Sequence, residues 1–147
     1  IYNEKVYVLD AKLYRYGYSG NPEHLPSGPD INKQITYGEY IERAKGVPSN
    51  NLYNAFIMPF NREDHTFFEM GTDGNPIPCI TDNIGNIGEA LGDWKPNPKN
   101  YERVQGIVID TRFLMYNYIG MPDQQKRKLA EAIEKVETRN PVPKPAT

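Results

Sequence analysis

A chain of 147 residues with one cysteine, Cys79, makes a single domain of ordinary size and excludes an internal disulfide framework. Seventeen Lys+Arg against nineteen Asp+Glu leave a net charge of -2, so the field of the whole molecule does not hold a phosphate backbone, and any nucleic-acid role needs a local site or a partner. Two histidines beside that one cysteine argue against a thiolate zinc cage, and no run approaches the ~20 apolar residues of a membrane helix. With no basic-then-apolar leader, the expectation is a protein of the reducing cytoplasm, away from membranes. The first residue is Ile1 rather than Met, which fits a piece of something longer.

In chain order, Asn3 and Glu4 read as a two-residue turn, which makes Ile1 and Tyr2 the end of an earlier strand. Residues 5–14 (KVYVLDAKLY) are almost unbroken in apolar character and rich in Val, Tyr and Leu, the pattern of a central strand buried on both faces. Residues 17–29 are a Pro/Gly loop. Asp30 can cap a helix over 31–45, which Gly46 and Pro48 end. Residues 51–60 (NLYNAFIMPF) predict a second buried strand, and 65–70 (HTFFEM) a third that returns beside it as a hairpin.

Residues 71–100, with Pro76, Pro78, Pro96 and Pro98, read as irregular, and their length predicts short structure or a functional loop. Residues 106–110 (GIVID) predict a strand with a helical continuation through Phe113, Leu114 and Tyr118. Pro122 and Asp123 open a helix to about Glu137, striped by Leu129, Ile133 and Val136. The order of elements predicts an α/β fold with a mixed sheet, one domain over 1–140 and a Pro-rich tail over 141–147.

Side chains alternate across a strand, so Val6, Val8, Asp10, Lys12 and Tyr14 share one face while Tyr7, Leu9, Ala11 and Leu13 share the other. A carboxylate and an ammonium side by side at a strand's end are costly unless paired or metal-bound. An ordinary ion pair where the sheet meets solvent is the plain explanation. Three features favour chemistry instead. The pair sits at the far end of its strand, where ligands gather in α/β sheets. Gln34, Tyr37 and Ile41 fall on one face of the following helix, and a core-facing amide needs a polar partner. Arg15 and Lys33 add cations near the same rim.

The tripeptide Asp10-Ala11-Lys12 resembles the second half-motif of the PD-(D/E)xK nuclease superfamily. More closely, VLDAKLYRYGY, INKQITYGEYI and YNAFIMPF, with the stretch from Gly92-Asp93-Trp94 through RVQGIVIDTRFLM, resemble the LlaJI-type restriction endonucleases, a family similar to the nuclease subunit of McrBC-type systems, over about residues 5–118. The resemblance implies a restriction-endonuclease-like α/β core and Mg2+-dependent hydrolysis of DNA phosphodiesters, with Mn2+ able to substitute. Asp10 and the Ala11 carbonyl would hold the metal, and Lys12 would orient the attacking water and offset phosphate charge. Gln34 would be a third catalytic residue, and Tyr37, Arg15 and Lys33 would support the site. Double-stranded DNA and an McrB-like NTPase subunit are the implied partners.

One feature departs from the family pattern: no Pro-Asp precedes residue 10, and Glu4, the only earlier acid, lies in the turn. A chain shortened at its N-terminus would account for it. The alternative is a non-catalytic nuclease-fold module that assembles with a motor or DNA-binding subunit.

Rival motifs are weaker. Asp110-Thr111-Arg112 repeats the acid-x-base spacing, but arginine keeps its proton, so an ion pair closing a strand is expected. Gly85, Gly88 and Gly92 lack the G-K-[ST] ending of a phosphate loop. His24 and His65 are isolated and read as surface residues, and Lys126-Arg127-Lys128 as a solvated helix face.

Overall fold

The computed structural model describes residues 1–64, 67–91, 96–117, 120 and 122–134. In chain order it runs β1 (Val6–Ala11), α1 (Tyr16–Ser19), α2 (Gly28–Lys45), β2 (Leu52–Phe60), β3 (Phe68–Met70), β4 (Pro76–Pro78), β5 (Ile84–Ala90), β6 (Val104–Asp110), α3 (Thr111–Tyr116) and α4 (Asp123–Glu134). Four strands form one sheet in the order β1-β2-β6-β5, with β1, β2 and β6 parallel and β5 antiparallel to β6. The sheet is mixed and flanked by helices on both faces, the α/β class the order of apolar segments predicts.

The two inner strands are the runs LYNAFIMPF and VQGIVID, apolar on both faces as strands covered on both sides must be. One face of β2, through Tyr53 and Ala55, packs with Ile107 and Ile109 of β6 against Ala132 and Ile133 of α4. The opposite face, through Met58 and Phe60, packs with Val108, Ile80 and Ile87. Here Asn54, fully buried, donates its Nδ2 to the backbone carbonyls of Gln34 (2.7 Å) and Tyr101 (3.3 Å), tying α2 to the sheet.

Several expectations are corrected. Among the described residues β1 pairs with β2 alone, which makes it an edge strand rather than a central one. Leu9 is 45% exposed and Leu13 92%. An apolar run shows that a segment is extended, but edge or centre depends on which strands pair with it. The strand read at 65–70 does not return beside β2; β3 pairs with β4 in a separate two-stranded sheet, where Pro76 and Pro78 sit on an edge that needs no N–H from them.

The stretch 71–100 contains β5 (IGNIGEA), whose glycines and bulge hide the alternation a strand normally prints in sequence. The bulge lies between Asn86 and Gly88, with Gly88 at φ 145. It returns Ile87 to the face of Gly106, where a Cβ would stand 3.1 Å from Ile87 Cγ1.

The expected loop over 17–29 holds part of α1 and a short 3-10 turn at Pro22–His24. α2 starts at Gly28, three residues earlier than expected, because Ser27 and Asp30 form a reciprocal capping box. The turn at Asn3 and Glu4 is present, with both residues at positive φ (49 and 62), as a type I′ turn demands, and it joins Tyr2 to Lys5. Phe113 and Leu114 lie in α3 and Leu129 and Ile133 in α4, as expected. His65, Asp93, Trp94, Tyr118, Val136, Glu137 and the tail lie outside the described residues.

Candidate functional site

The parallel register sets Asp10 opposite Phe56 and Leu9 opposite Ala55. Tyr7 joins the core cluster under α4 and Tyr14 the cluster on the other face, so the alternation holds through residue 14. Asp10 and Lys12 therefore share the face on which α2 lies. Lys12 donates its backbone N–H to the Ile57 carbonyl at 3.0 Å. In a parallel ladder successive residues turn their backbone groups to opposite edges, so the Ala11 carbonyl faces the open edge of β1.

Lys12 Nζ stands 3.3 Å from Asp10 Oδ2, with the lysine side chain 35% exposed and the aspartate 32%. The pair is neither splayed across the sheet nor sealed from water. An exposed ion pair contributes under ~1 kcal/mol to stability, so stability alone gives little reason for placing these two charges together.

Two further residues complete this corner. Beyond the end of β1 the chain turns into α1, and Tyr14 donates its hydroxyl to Asp30 Oδ2 at 2.9 Å while its ring packs edge-on against Phe56. The same Asp30 oxygen accepts the Ser27 hydroxyl at 2.7 Å and the Ser27 N–H at 3.2 Å. Those bonds, the Ser27 hydroxyl first and the Tyr14 phenol next, hold the Asp30 carboxyl below the usual carboxylate range, and the Lys12 charge adds to them. Desolvation, then the bond to Asp30 and the negative charges of Asp30 and Asp10, push the Tyr14 phenol up to about 12. A phenol that stays protonated and a carboxylate that stays ionised make a lasting donor–acceptor pair. From sequence, Asp30 is expected only as a helix cap, and Tyr14 as either a ring that stacks on bases near the site or a core-packing residue. The available signals are the i, i+4 spacing of Asp30 and Gln34 and the place of Tyr14 in the Asp10–Lys12 alternation.

The other candidates separate. Gln34 is 2% exposed, and its Nε2 points to the Ala55 carbonyl at 3.4 Å. The polar partner that its burial demands is thus a carbonyl of β2, on the residue that pairs with Leu9, next in register to the partner of Asp10. Tyr37 does not share that buried stripe; it is 45% exposed and stacks under Lys33 Nζ at 5.7 Å from the ring centre. The buried stripe of α2 is Gln34 and Gly38, because a Cβ on Gly38 would lie 2.5 Å from the Tyr101 ring. Arg15 is exposed at the start of α1. Lys33, Tyr37 and Arg15 are therefore all exposed.

Asp110 does not form the expected ion pair with Arg112. It caps α3, accepting the N–H groups of Arg112 (2.8 Å) and Phe113 (3.3 Å), and also takes the Arg62 N–H at 3.1 Å. Arg112 pairs with Glu63 instead, at 2.8 Å. Gly85 and Gly88 belong to β5, not to a phosphate loop, and His24 Nδ1 bonds the Ser19 hydroxyl at 2.7 Å. Lys128 pairs with Asp82 at 2.9 Å.

Among the described residues no group of three or more His, Cys, Asp or Glu could hold a metal ion. The oxygen donors that remain, the Asp10 carboxylate and the Ala11 carbonyl, suit a small hard cation that keeps most of its water and takes one or two carboxylates from protein. No helix among the described residues is long and apolar enough to cross a membrane.

A family model described as the LlaJI restriction endonuclease matches residues 1–74, half of the chain. That span contains β1, α1, α2 and β2, and with them Asp10, Ala11, Lys12, Tyr14, Arg15, Asp30, Lys33, Gln34 and Tyr37. It stops short of residue 118, to which the likeness of motifs extends. No curated protein and no solved structure matches the chain. The match spans half the sequence and the whole of the corner built from β1 and α2, and the chain belongs to the LlaJI restriction endonuclease family, nucleases that act on DNA in restriction systems.

Proposed function

We propose that the Asp10–Lys12 corner is the cleavage centre of an Mg2+-dependent DNA endonuclease, with Mn2+ able to replace Mg2+. The observation that carries this reading is the 3.3 Å contact of Lys12 Nζ with Asp10 Oδ2, both groups about one third exposed, inside the segment that matches a restriction endonuclease family. Asp10 and the Ala11 carbonyl would hold the cation, which lowers the pKa of a bound water and offsets charge on the phosphate.

The chain's own residues then divide the remaining work. Lys12 donates hydrogen bonds to the attacking water and to a phosphate oxygen, favouring the extra negative charge of the pentavalent transition state. Gln34 acts from beneath, holding α2 to the sheet at Ala55. Lys33, Tyr37 and Arg15 offer exposed cations and a phenol for the flanking DNA backbone. An McrB-like NTPase subunit is the proposed partner, and it would deliver DNA to a chain whose net charge is slightly negative.

Lys12→Ala is expected to reduce Mg2+-dependent nicking of plasmid DNA by the full-length protein by at least ~100-fold. Cutting at the parental rate would overturn the assignment of the centre to Lys12, whereas a parent protein that does not cut with Mg2+ or Mn2+ would favour the non-catalytic module. A fluorescence titration with Tb3+ as a cation probe gives a second readout, in which Asp10→Asn weakens binding whether or not the protein cuts.

A further inference from the structure

The segment that carries Lys12 is anchored at few points. β1 ends at Ala11, and the last ladder bond is the one from the Lys12 N–H to Ile57. Leu13 is 92% exposed and holds nothing. The next fixed points in the backbone are Arg15, whose carbonyl accepts the N–H groups of Tyr18 and Ser19 at 2.9 Å as α1 begins, and Gly17, pressed against the Pro59 carbonyl. Between Lys12 and Arg15, the side chain of Tyr14 reaches across to α2, bonding Asp30 at 2.9 Å with its hydroxyl and meeting Phe56 with its ring. Phe56 is the register partner of Asp10, and Asp30 stands one helical turn before Gln34. Tyr14 and Asp30 thus join three elements that bear on the candidate centre.

We propose that Tyr14 and Asp30 are positioning residues for the cleavage centre, their hydrogen bond fixing the unpaired segment after β1 so that the Lys12 ammonium is held at Asp10. This inference rests on the nuclease reading above. Lysine carries a long flexible stem with a large rotamer freedom, so an ammonium held at one place needs a fixed backbone beneath it. The Asp10 charge holds only the tip of that stem; the Tyr14–Asp30 bond holds its base. Asp30 also caps α2 through Ser27, but that second role involves separate bonds and can be tested apart from the first.

The experiment follows the Lys12 side chain by NMR in protein labelled with 13C/15N lysine, its signal assigned by its loss in Lys12→Ala. Tyr14→Phe keeps the ring on Phe56 and removes only the hydroxyl. It is expected to move the Lys12 Nζ signal toward those of the surface lysines and to lower the cleavage rate about tenfold or more with little change in KM for DNA. Asp30→Asn, which retains an acceptor oxygen and the cap but removes a charge that acts on Lys12, should move the Lys12 signal at least as far as Tyr14→Phe. Adding Tyr14→Phe to Asp30→Asn should cost little further rate, because the Tyr14 hydroxyl acts through Asp30. Ser27→Ala, which removes only a capping partner, should leave the Lys12 signal in place.

A Lys12 signal unmoved by Tyr14→Phe, or moved equally by Ser27→Ala, would overturn the positioning role. Normal cutting by Lys12→Ala would instead sink the placement of the cleavage centre at Asp10 and Lys12 on which it rests, so the two failures are distinguishable.

Discussion

A Cβ on Gly17 would lie 1.9 Å from the Pro59 carbonyl oxygen and 2.9 Å from Phe60 Cβ. The first obstacle is backbone on an inner strand, which cannot swing aside as a side-chain tip can. Gly17→Ala gains ~1 kcal/mol of helix propensity in α1, a helix of four residues, but it forces the one-turn helix off the sheet. Overpacking of this kind costs roughly 1–3 kcal/mol, and the closeness of the contact puts Gly17 at the upper end. A net loss of stability is expected, read as a lower urea midpoint. An unchanged midpoint would mean that α1 can shift outward freely. Because α1 follows directly on the segment that carries Lys12, the same variant should also disturb that ammonium. The shared face of Asp10 and Lys12, at the end of β1 and just beyond it, is legible in sequence from strand alternation. The roles of Tyr14 and Asp30 are not, since sixteen positions separate them and only the packing of α2 brings them to hydrogen-bond distance.

The elements that frame the corner are held by polar clamps as well as by apolar cores. Near the C-terminal end of α2, Glu42 accepts Lys99 Nζ at 2.8 and 2.9 Å and the Tyr101 hydroxyl at 2.6 Å. The Lys99 bond first, and the Tyr101 bond next, hold the Glu42 carboxyl below its ordinary range. A depressed folded value means that the stabilisation is fully present above the unfolded carboxylate range and is lost as pH falls through the folded value. Glu42→Gln should therefore destabilise the protein at neutral pH. The gap between the two proteins should close as the pH drops below ~4, as followed by circular dichroism in thermal melts. A gap of constant size from pH 7 to pH 3 would show that the carboxylate charge is not what binds α2 to the turn at Asn100–Glu102. At the other sheet face, Glu134 of α4 takes Lys5 Nζ at 3.1 Å and the Tyr7 hydroxyl, clamping the start of β1.

The whole molecule carries a charge of -2, and among the described residues Lys5, Lys99, Arg103, Arg112 and Lys128 are held in ion pairs. If Lys12, Arg15 and Lys33 are the groups that meet phosphates, the logarithm of the DNA association constant of the isolated protein should fall with the logarithm of salt at a slope of about -3 or shallower, at ~0.9 for each phosphate contact. A slope near -8 would require a DNA track running well beyond the β1 corner. A shallow slope would support the proposal that a partner delivers the DNA.

The fold class, the helix α2, the inner strands β2 and β6 and the shared face of Asp10 and Lys12 can be read from the order of residues, because apolar periodicity, capping residues and strand alternation are local properties written within a few residues. That β1 lies at an edge, that Ile84–Ala90 is a strand despite its glycines, that Gln34 turns to a β2 carbonyl and that Tyr37 faces outward emerges with the folded chain. Each of these depends on which distant segment comes to lie alongside, and the free energy of that choice is shared among contacts that no short window of sequence contains.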